Sequence, residues 1–270
     1  MKLAYQVAMP DLESSPLLTA YQGSLEDSFR HLAENGYQGI ELMVRDPQKL
    51  DPELLNRLTS TYGLEVVMLA TGEIWAQDLI SLSSSNPENR LRCIKRFKEF
   101  IDCAAPYHAQ VNIGRVRGEL VPGIPPETTL DLAVDAFRQL ASYAEDKAVT
   151  IALEPVNFLQ CNFINSTAEG RDIVDRVGYQ NFRIMLDVFH MNIQDADIFK
   201  EIQRSKGYFS YVHLCDNNRL YPGNCGLDFP KIMQSLHAVD YEDYVSVEVL
   251  QFPSGDIALT KSAQCLLPLL

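Results

Sequence analysis

Short, continuously apolar runs alternate along the whole chain with longer stretches in which apolar residues recur every three or four positions. Eight runs are strand-like: Leu3–Met9, Gly39–Val44, Leu64–Thr71, Gln110–Gly114, Thr150–Asn157, Phe182–His190, Phe209–Asp216 and Tyr244–Leu250. Rich in Val, Ile and Leu, they read as parallel strands covered on both faces. Between them a helical period runs through Leu25–Asn35, Pro52–Tyr62, Pro87–Ala105, Glu127–Lys147, a segment capped by Ser166/Thr167 and ending at Val177, Asp195–Ser205, Phe229–Leu236 and Ile257–Leu269. Gly36, Gly63 and Gly178 stop three of these segments, and Pro52 opens one at a first-turn position. Strand then helix, repeated around the chain, predicts right-handed crossovers in an α/β fold: a (β/α)8 TIM barrel, with residues 1–270 as one domain. A doubly wound open sheet is the rival, but no Gly-rich phosphate fingerprint follows the first strand.

Composition narrows the partners. Lys and Arg total 23 against 36 Asp and Glu, a formal charge of −13. Such a surface repels nucleic-acid backbones and anionic membranes, so a small-molecule partner is expected and neither of those is. No apolar segment is long enough to span a bilayer, and the first ten residues lack the apolar stretch of a signal peptide. The six cysteines form no CxxC pair and read as thiols of a reducing compartment, so a soluble cytoplasmic protein is expected. Leu266, Leu267, Leu269 and Leu270 at the end fit either a homo-oligomer contact or the sealing of the barrel's outer layer.

In a barrel, polar residues at the carboxyl ends of strands face the functional mouth. Four late strands carry an ionisable group there: Glu154, Asp187, His213 and Glu248, at intervals of 33, 26 and 35 residues, each about one strand–helix unit. Taken singly, a strand-end carboxylate serves equally well in a structural ion pair, and a strand histidine as a hydrogen-bonded core residue. Taken together, three carboxylates and one imidazole at one mouth are costly, because a lone buried charge costs several kcal/mol. A cation between them removes that cost. Oxygen-dominated ligation favours Mn²⁺ or Mg²⁺, with Co²⁺ or Zn²⁺ as alternatives.

The sequence around these positions resembles the xylose isomerase-like superfamily of sugar isomerases and epimerases, with the strongest likeness to the D-tagatose and D-psicose 3-epimerases. The likeness runs through Glu154-Pro155-Val156-Asn157, Leu186-Asp187-Val188-Phe189-His190-Met191-Asn192-Ile193, His213-Leu214-Cys215-Asp216-Asn217-Asn218-Arg219, Pro222-Gly223 and Ser246-Val247-Glu248. It covers the second half of the chain; the first half matches as barrel periodicity alone. The resemblance implies metal ligation by Glu154, Asp187, His213 and Glu248, and an acid/base role for Glu154 and Glu248. A cation polarising a carbonyl makes the neighbouring C–H acidic through an enediolate, and a carboxylate on each face then gives epimerisation. One group shuttling the proton between carbons gives aldose–ketose isomerisation instead. His190 and Arg219 are implied contacts to the carbonyl-end oxygens of the substrate. Glu41, at the end of the second strand, fits a sugar-hydroxyl contact or a buried ion pair. Trp75, after the third strand, fits a stacking surface for the sugar or ordinary packing. The chain departs from the group at Phe158-Leu159-Gln160, where Arg-Tyr/Phe-Glu is usual, so Gln160 is a neutral candidate for a hydroxyl contact.

Two relatives of this chemistry stay in view. A lyase dehydrating a keto-inositol or 3-dehydroshikimate uses a similar quartet and shares enolate formation. An abasic-site endonuclease of the superfamily needs extra histidines at the ends of strands three and four, where this chain has Ala70-Thr71-Gly72 and Asn112-Ile113-Gly114. A non-enzymatic barrel would be marked by a broken quartet. An unphosphorylated ketose or cyclic keto-polyol is the expected substrate, although Pro222-Gly223-Asn224-Cys225-Gly226 offers a small anion nest.

Overall fold

The structure, a computed structural model, describes residues 1–270. Eight parallel strands, β1 (Lys2–Ala8), β2 (Gly39–Met43), β3 (Glu65–Ala70), β4 (Gln110–Ile113), β5 (Ile151–Leu153), β6 (Phe182–Asp187), β7 (Phe209–Leu214) and β8 (Tyr244–Val247), close in sequence order into a barrel. β1 pairs with both β2 and β8, so no edge is left open. Ten helices surround it: α1 (Leu25–Glu34), α2 (Pro52–Tyr62), α3 (Gly72–Asp78), α4 (Pro87–Ala104), α5 (Pro126–Glu145), α6 (Thr167–Val177), α7 (Val188–Gln194), α8 (Ile198–Arg204), α9 (Phe229–His237) and α10 (Gly255–Leu266). The (β/α)8 expectation holds strand for strand.

The four late strands all end short of the sequence reading, β7 at Leu214 and β8 at Val247 rather than at Asp216 and Leu250, and two helices were not expected. β5 stops at Leu153 rather than Asn157, because Pro155 has no N–H to continue the ladder. β6 stops at Asp187 rather than His190: the Asp187 carboxylate accepts from Phe189 N–H at 2.8 Å and turns the chain into α7. α7 and α3 went unforeseen; α7 directly continues the apolar run of β6, which reads as strand to His190.

The main core lies between the strands and the helices. Inside the barrel, Ala4, Ala152, Met185 and Tyr211 belong to a separate apolar cluster. Each stands two positions before Gln6, Glu154, Asp187 and His213 respectively. In the strands side chains alternate faces, so the polar set forms the next layer up, resting on the apolar one. Leu266 is buried, while Leu269 and Leu270 are half-buried against the core, so most of the C-terminal leucines seal the outer layer. All six cysteines are free thiols. No helix is long and apolar enough to cross a membrane.

Candidate metal centre and active site

Glu154, Asp187, His213 and Glu248 converge: one ligand atom from each lies within 4.8 Å of all the others. Asp187 and His213 are direct register partners on β6 and β7. Glu154 and Glu248 each follow their strand by one residue. All four are at least nearly buried, at 12% side-chain exposure or less.

Each candidate ligand is oriented by a second group. The two Glu41 oxygens lie 2.9 and 3.1 Å from His213 Nε2, and Glu41 also accepts from Gln6 Nε2 at 2.8 Å and from Tyr211 Oη at 3.1 Å. A carboxylate on Nε2 places the proton there and turns the Nδ1 lone pair toward the other ligands. That Nδ1 is 2.8 Å from Glu248 Oε2 and 3.7 Å from Asp187 Oδ2, yet it is buried without a properly directed hydrogen bond. A ring nitrogen without a partner amid three carboxylates is the environment a divalent cation fits. Asp187 divides its labour, Oδ1 capping α7 and Oδ2 facing the centre. Thr19 Oγ1 donates to Glu248 Oε1 at 2.7 Å, and Asn112 Nδ2 reaches Glu154 Oε2 at 3.5 Å. The fully buried Arg117 donates to the Glu154 carbonyl at 2.8 Å and to Phe163 and Ile164, tying down the segment after β5.

Electrostatics follow from this crowding. Burial, then the Glu248 charge, push Glu154 up to about 8. Burial acts on Glu248 in the same sense, but Arg219 and His213 outweigh it and bring it down to about 2. Burial opposes a charge on Asp187 too, and Arg219 with His190 still holds it well below the carboxylate range. For His213 burial disfavours the imidazolium, while Glu41 and Glu248 prevail and raise it well above the histidine range. A dication would take over the positive role that these protons fill.

A cavity of about 420 Å³ opens above the quartet. His190 and Arg219 line it, as does Gln160, which is exposed on its wall. His190 sits in α7 rather than at a strand end; its Nδ1 is 2.6 Å from Asn157 Nδ2, and its Nε2 lies 3.6 Å from Glu154 Oε1. Burial brings His190 down to about 4, so it is neutral with the amide donating to Nδ1 and the proton on Nε2. Arg219 donates to Asp187 Oδ2 at 2.8 Å and to Glu248 Oε2, its guanidinium lying 4.7 Å from the Phe189 ring centroid.

At three places where the sequence left a binding role and a structural role both open, the side chains take the structural one. Glu41 is not at the cavity wall; it is fully buried behind His213, the ion-pair role rather than the hydroxyl contact. Trp75 does not line the cavity either, and its ring carries the Arg115 guanidinium 3.9 Å from its centroid. The nest at 222–226 is filled from within, because Asp216 accepts the N–H groups of Gly223, Cys225, Gly226 and Leu227. Missed altogether were Gln6, Thr19, Asn112 and Gly114. Gln6 and Asn112 each interrupt an apolar strand run, a signal of the same kind as the ligands but in the half without a motif.

An eight-stranded α/β barrel whose mouth gathers a carboxylate–imidazole quartet has the donor set that could hold a divalent ion, placed where barrel enzymes carry their active sites. Residues 29–266 match the family model described as Xylose isomerase-like TIM barrel, and the chain belongs to that family. Its curated relatives include L-ribulose 3-epimerase of Mesorhizobium japonicum, 28% identical over 246 residues, or 89% of this chain and 80% of the relative. The 3-dehydro-D-guloside 4-epimerase of Escherichia coli is 26% identical over 231 residues, 82% of this chain and 86% of that protein. Among solved structures, D-allulose 3-epimerase of a Methylomonas species in complex with D-allulose superposes with a TM-score of 0.84 at 20% identity, covering 100% of this chain and 97% of that one. The relatives are thus isomerase-class enzymes, epimerases that act on sugars.

Proposed function

We propose that this chain is a divalent-metal-dependent sugar epimerase that inverts a carbon beside the carbonyl of a ketose or keto-polyol. The observation that carries the reading is the pair Glu154 and Glu248, which reach one point from β5 and β8 with opposed proton affinities. Two-sided proton transfer needs one carboxyl that holds a proton and one that is free to take one, and unlike surroundings provide that. Glu154, Asp187, His213 and Glu248 would hold the metal, which when bound supplies Lewis acidity for the carbonyl. On this reading Glu248 takes the proton from carbon at one of its carboxylate oxygens and Glu154 returns one to the other face. The Nε2–H of His190 donates to an oxygen at the carbonyl end. Arg219, beside the Phe189 ring, orients Glu248 and Asp187 and keeps further N–H donors for the same end of the sugar. Gln160 holds a hydroxyl without adding charge. The names of the two curated relatives, a 3-epimerase and a 4-epimerase, support an epimerase while leaving the inverted carbon to this chain's own cavity.

The test is incubation of the metal-loaded protein with a panel of ketoses and keto-inositols in deuterated water. Solvent deuterium at the inverted carbon is expected. Deuterium at C1 with an aldose product, or loss of water to give an enone chromophore, would replace the epimerase with an isomerase or a lyase.

A further inference from the structure

Arg115 is the cation of the cavity wall that the metal quartet does not engage. It opens the turn after β4, and that turn is fixed from behind: Leu82 N–H and Ser83 N–H donate to the carbonyls of Val116 and Arg117 at 2.9 and 3.1 Å. The guanidinium lies 3.9 Å from the centroid of the Trp75 ring, so α3 holds its flat face. Stacking of this kind satisfies the face of a guanidinium and leaves its N–H donors free. Nε is buried with no hydrogen-bond partner, and no carboxylate stands within ion-pairing distance of the side chain. A buried donor left unmade is costly, and Arg115 carries it at the wall of the cavity above the quartet.

The rest of the wall agrees. Glu154 and Glu248 belong to the quartet, and Arg219, the other cation, is committed to Asp187 and Glu248. Glu73 also lines the cavity, where its carboxylate accepts Gln77 Nε2 at 2.6 Å rather than pairing with Arg115. Gln160 stands on the wall where the 3-epimerase likeness calls for a glutamate, so one negative charge is missing from the cavity. We infer that Arg115, braced by Trp75, binds an anionic group carried by the substrate, a carboxylate or a phosphate, on the side of the cavity walled by α3. The inference rests on the proposed function only in taking the ligand to be a sugar derivative, and it narrows the expected neutral ketose to an acidic one.

The experiment is calorimetric titration of the metal-loaded protein with three probes that lack an aldehyde or ketone and so cannot undergo the reaction: D-glucitol, D-gluconate and D-glucitol 6-phosphate. At least one anion should bind about tenfold or more tighter than glucitol, the scale of a charge-assisted contact. In R115Q that preference should shrink to within about twofold, and R115K should keep part of it, since it retains charge but loses the planar fork. A preference for gluconate alone assigns a carboxylate, and one for the phosphate alone assigns a phosphate. Equal binding of all three probes by the wild type overturns the inference, as does a preference that survives in R115Q. Because no probe can undergo proton abstraction, a negative deuterium exchange beside a positive anion preference removes the epimerase reading and leaves the anion site standing. The reverse pairing does the opposite.

Discussion

The two halves of the barrel serve the same mouth in different ways. β5–β8 deliver all four metal-ligand candidates, whereas β1–β4 and their loops deliver none and supply most of the groups that hold them. Glu41 on β2 fixes His213, Thr19 in the loop after β1 fixes Glu248, and Asn112 on β4 reaches Glu154. Asp187 draws no support from the first half and is held by the α7 cap and by Arg219, which also reaches Glu248. Ligands must stand where a strand ends, so each sits in a recognisable local run. Supports act across the closed barrel, Glu41 and His213 being 172 residues apart, and nothing local to Glu41 reveals its partner.

The division can be broken most severely at the ligands. Glu154→Gln and Glu248→Gln should each lower turnover by about 10³-fold or more while the fold persists, since each removes a proton carrier and a ligand oxygen. Turnover measured beside a thermal unfolding midpoint checks both halves of that statement. Near-wild-type turnover in either variant would falsify its assigned role. Glu41→Gln should do less: the amide can still accept from His213, but with no charge, and metal affinity should fall about 10–100-fold. A metal titration decides it. A loss as large as that of a ligand variant would make Glu41 part of the quartet, and no loss would deny the first half its supporting role.

Gly114→Ala probes the same division by shape alone. A Cβ at Gly114 would stand 2.9 Å from Glu154 Oε2, closer than side chains tolerate, so the carboxylate must shift. Because productive geometry tolerates only a fraction of an ångström, about a tenfold fall in kcat is expected with little change in stability. An unchanged kcat would show that Glu154 has slack in its position.

These results also explain what could be read from the chain. The strand order, the closure and the quartet were legible because apolar runs, helix periods and strand-end charges are local patterns. The 154–157, 186–193 and 213–219 segments carried the family likeness for the same reason. Glu41 and Trp75 were visible as candidates, but their partners, His213 and Arg115, were not, since both contacts need the barrel to close. Pro155 and the Asp187 cap decide where β5 and β6 end, and each was present in the sequence as a signal weaker than the apolar run it interrupts. Arg115 was silent: one arginine after a short strand looks like any solvated loop charge until the wall around it is seen.

The smallest effect, and the one that separates the halves electrostatically, is the pH dependence of stability. Without a metal, Glu154 sits at about 8 against an ordinary 4.5, so between those values the folded chain keeps a proton that the unfolded chain has released. Raising the pH through that window therefore favours unfolding. His213, held well above the ordinary 6.5, acts in the same direction, its contribution being complete below 6.5 and lost at higher pH. Glu248 works on the acid flank, contributing fully above 4.5 and losing that contribution as the pH falls toward 2. The chelated protein should thus be most stable near about pH 5 and lose a few degrees of melting temperature by about pH 8. A divalent ion displaces the proton on His213, whereas Glu154 keeps the one it returns to carbon, so with Mn²⁺ present the His213 part of the slope should reverse, and uptake at neutral pH should release about one proton per ion. Melting curves with chelator and with Mn²⁺, and calorimetry in two buffers of different ionisation enthalpy, measure both. The supporting carboxylate in the first half predicts the size of the His213 part: Glu41→Gln removes the largest force raising His213, and should flatten the chelated profile while leaving the Glu154 part in place. A profile unchanged by that substitution would mean that the first half holds His213 by shape and not by charge.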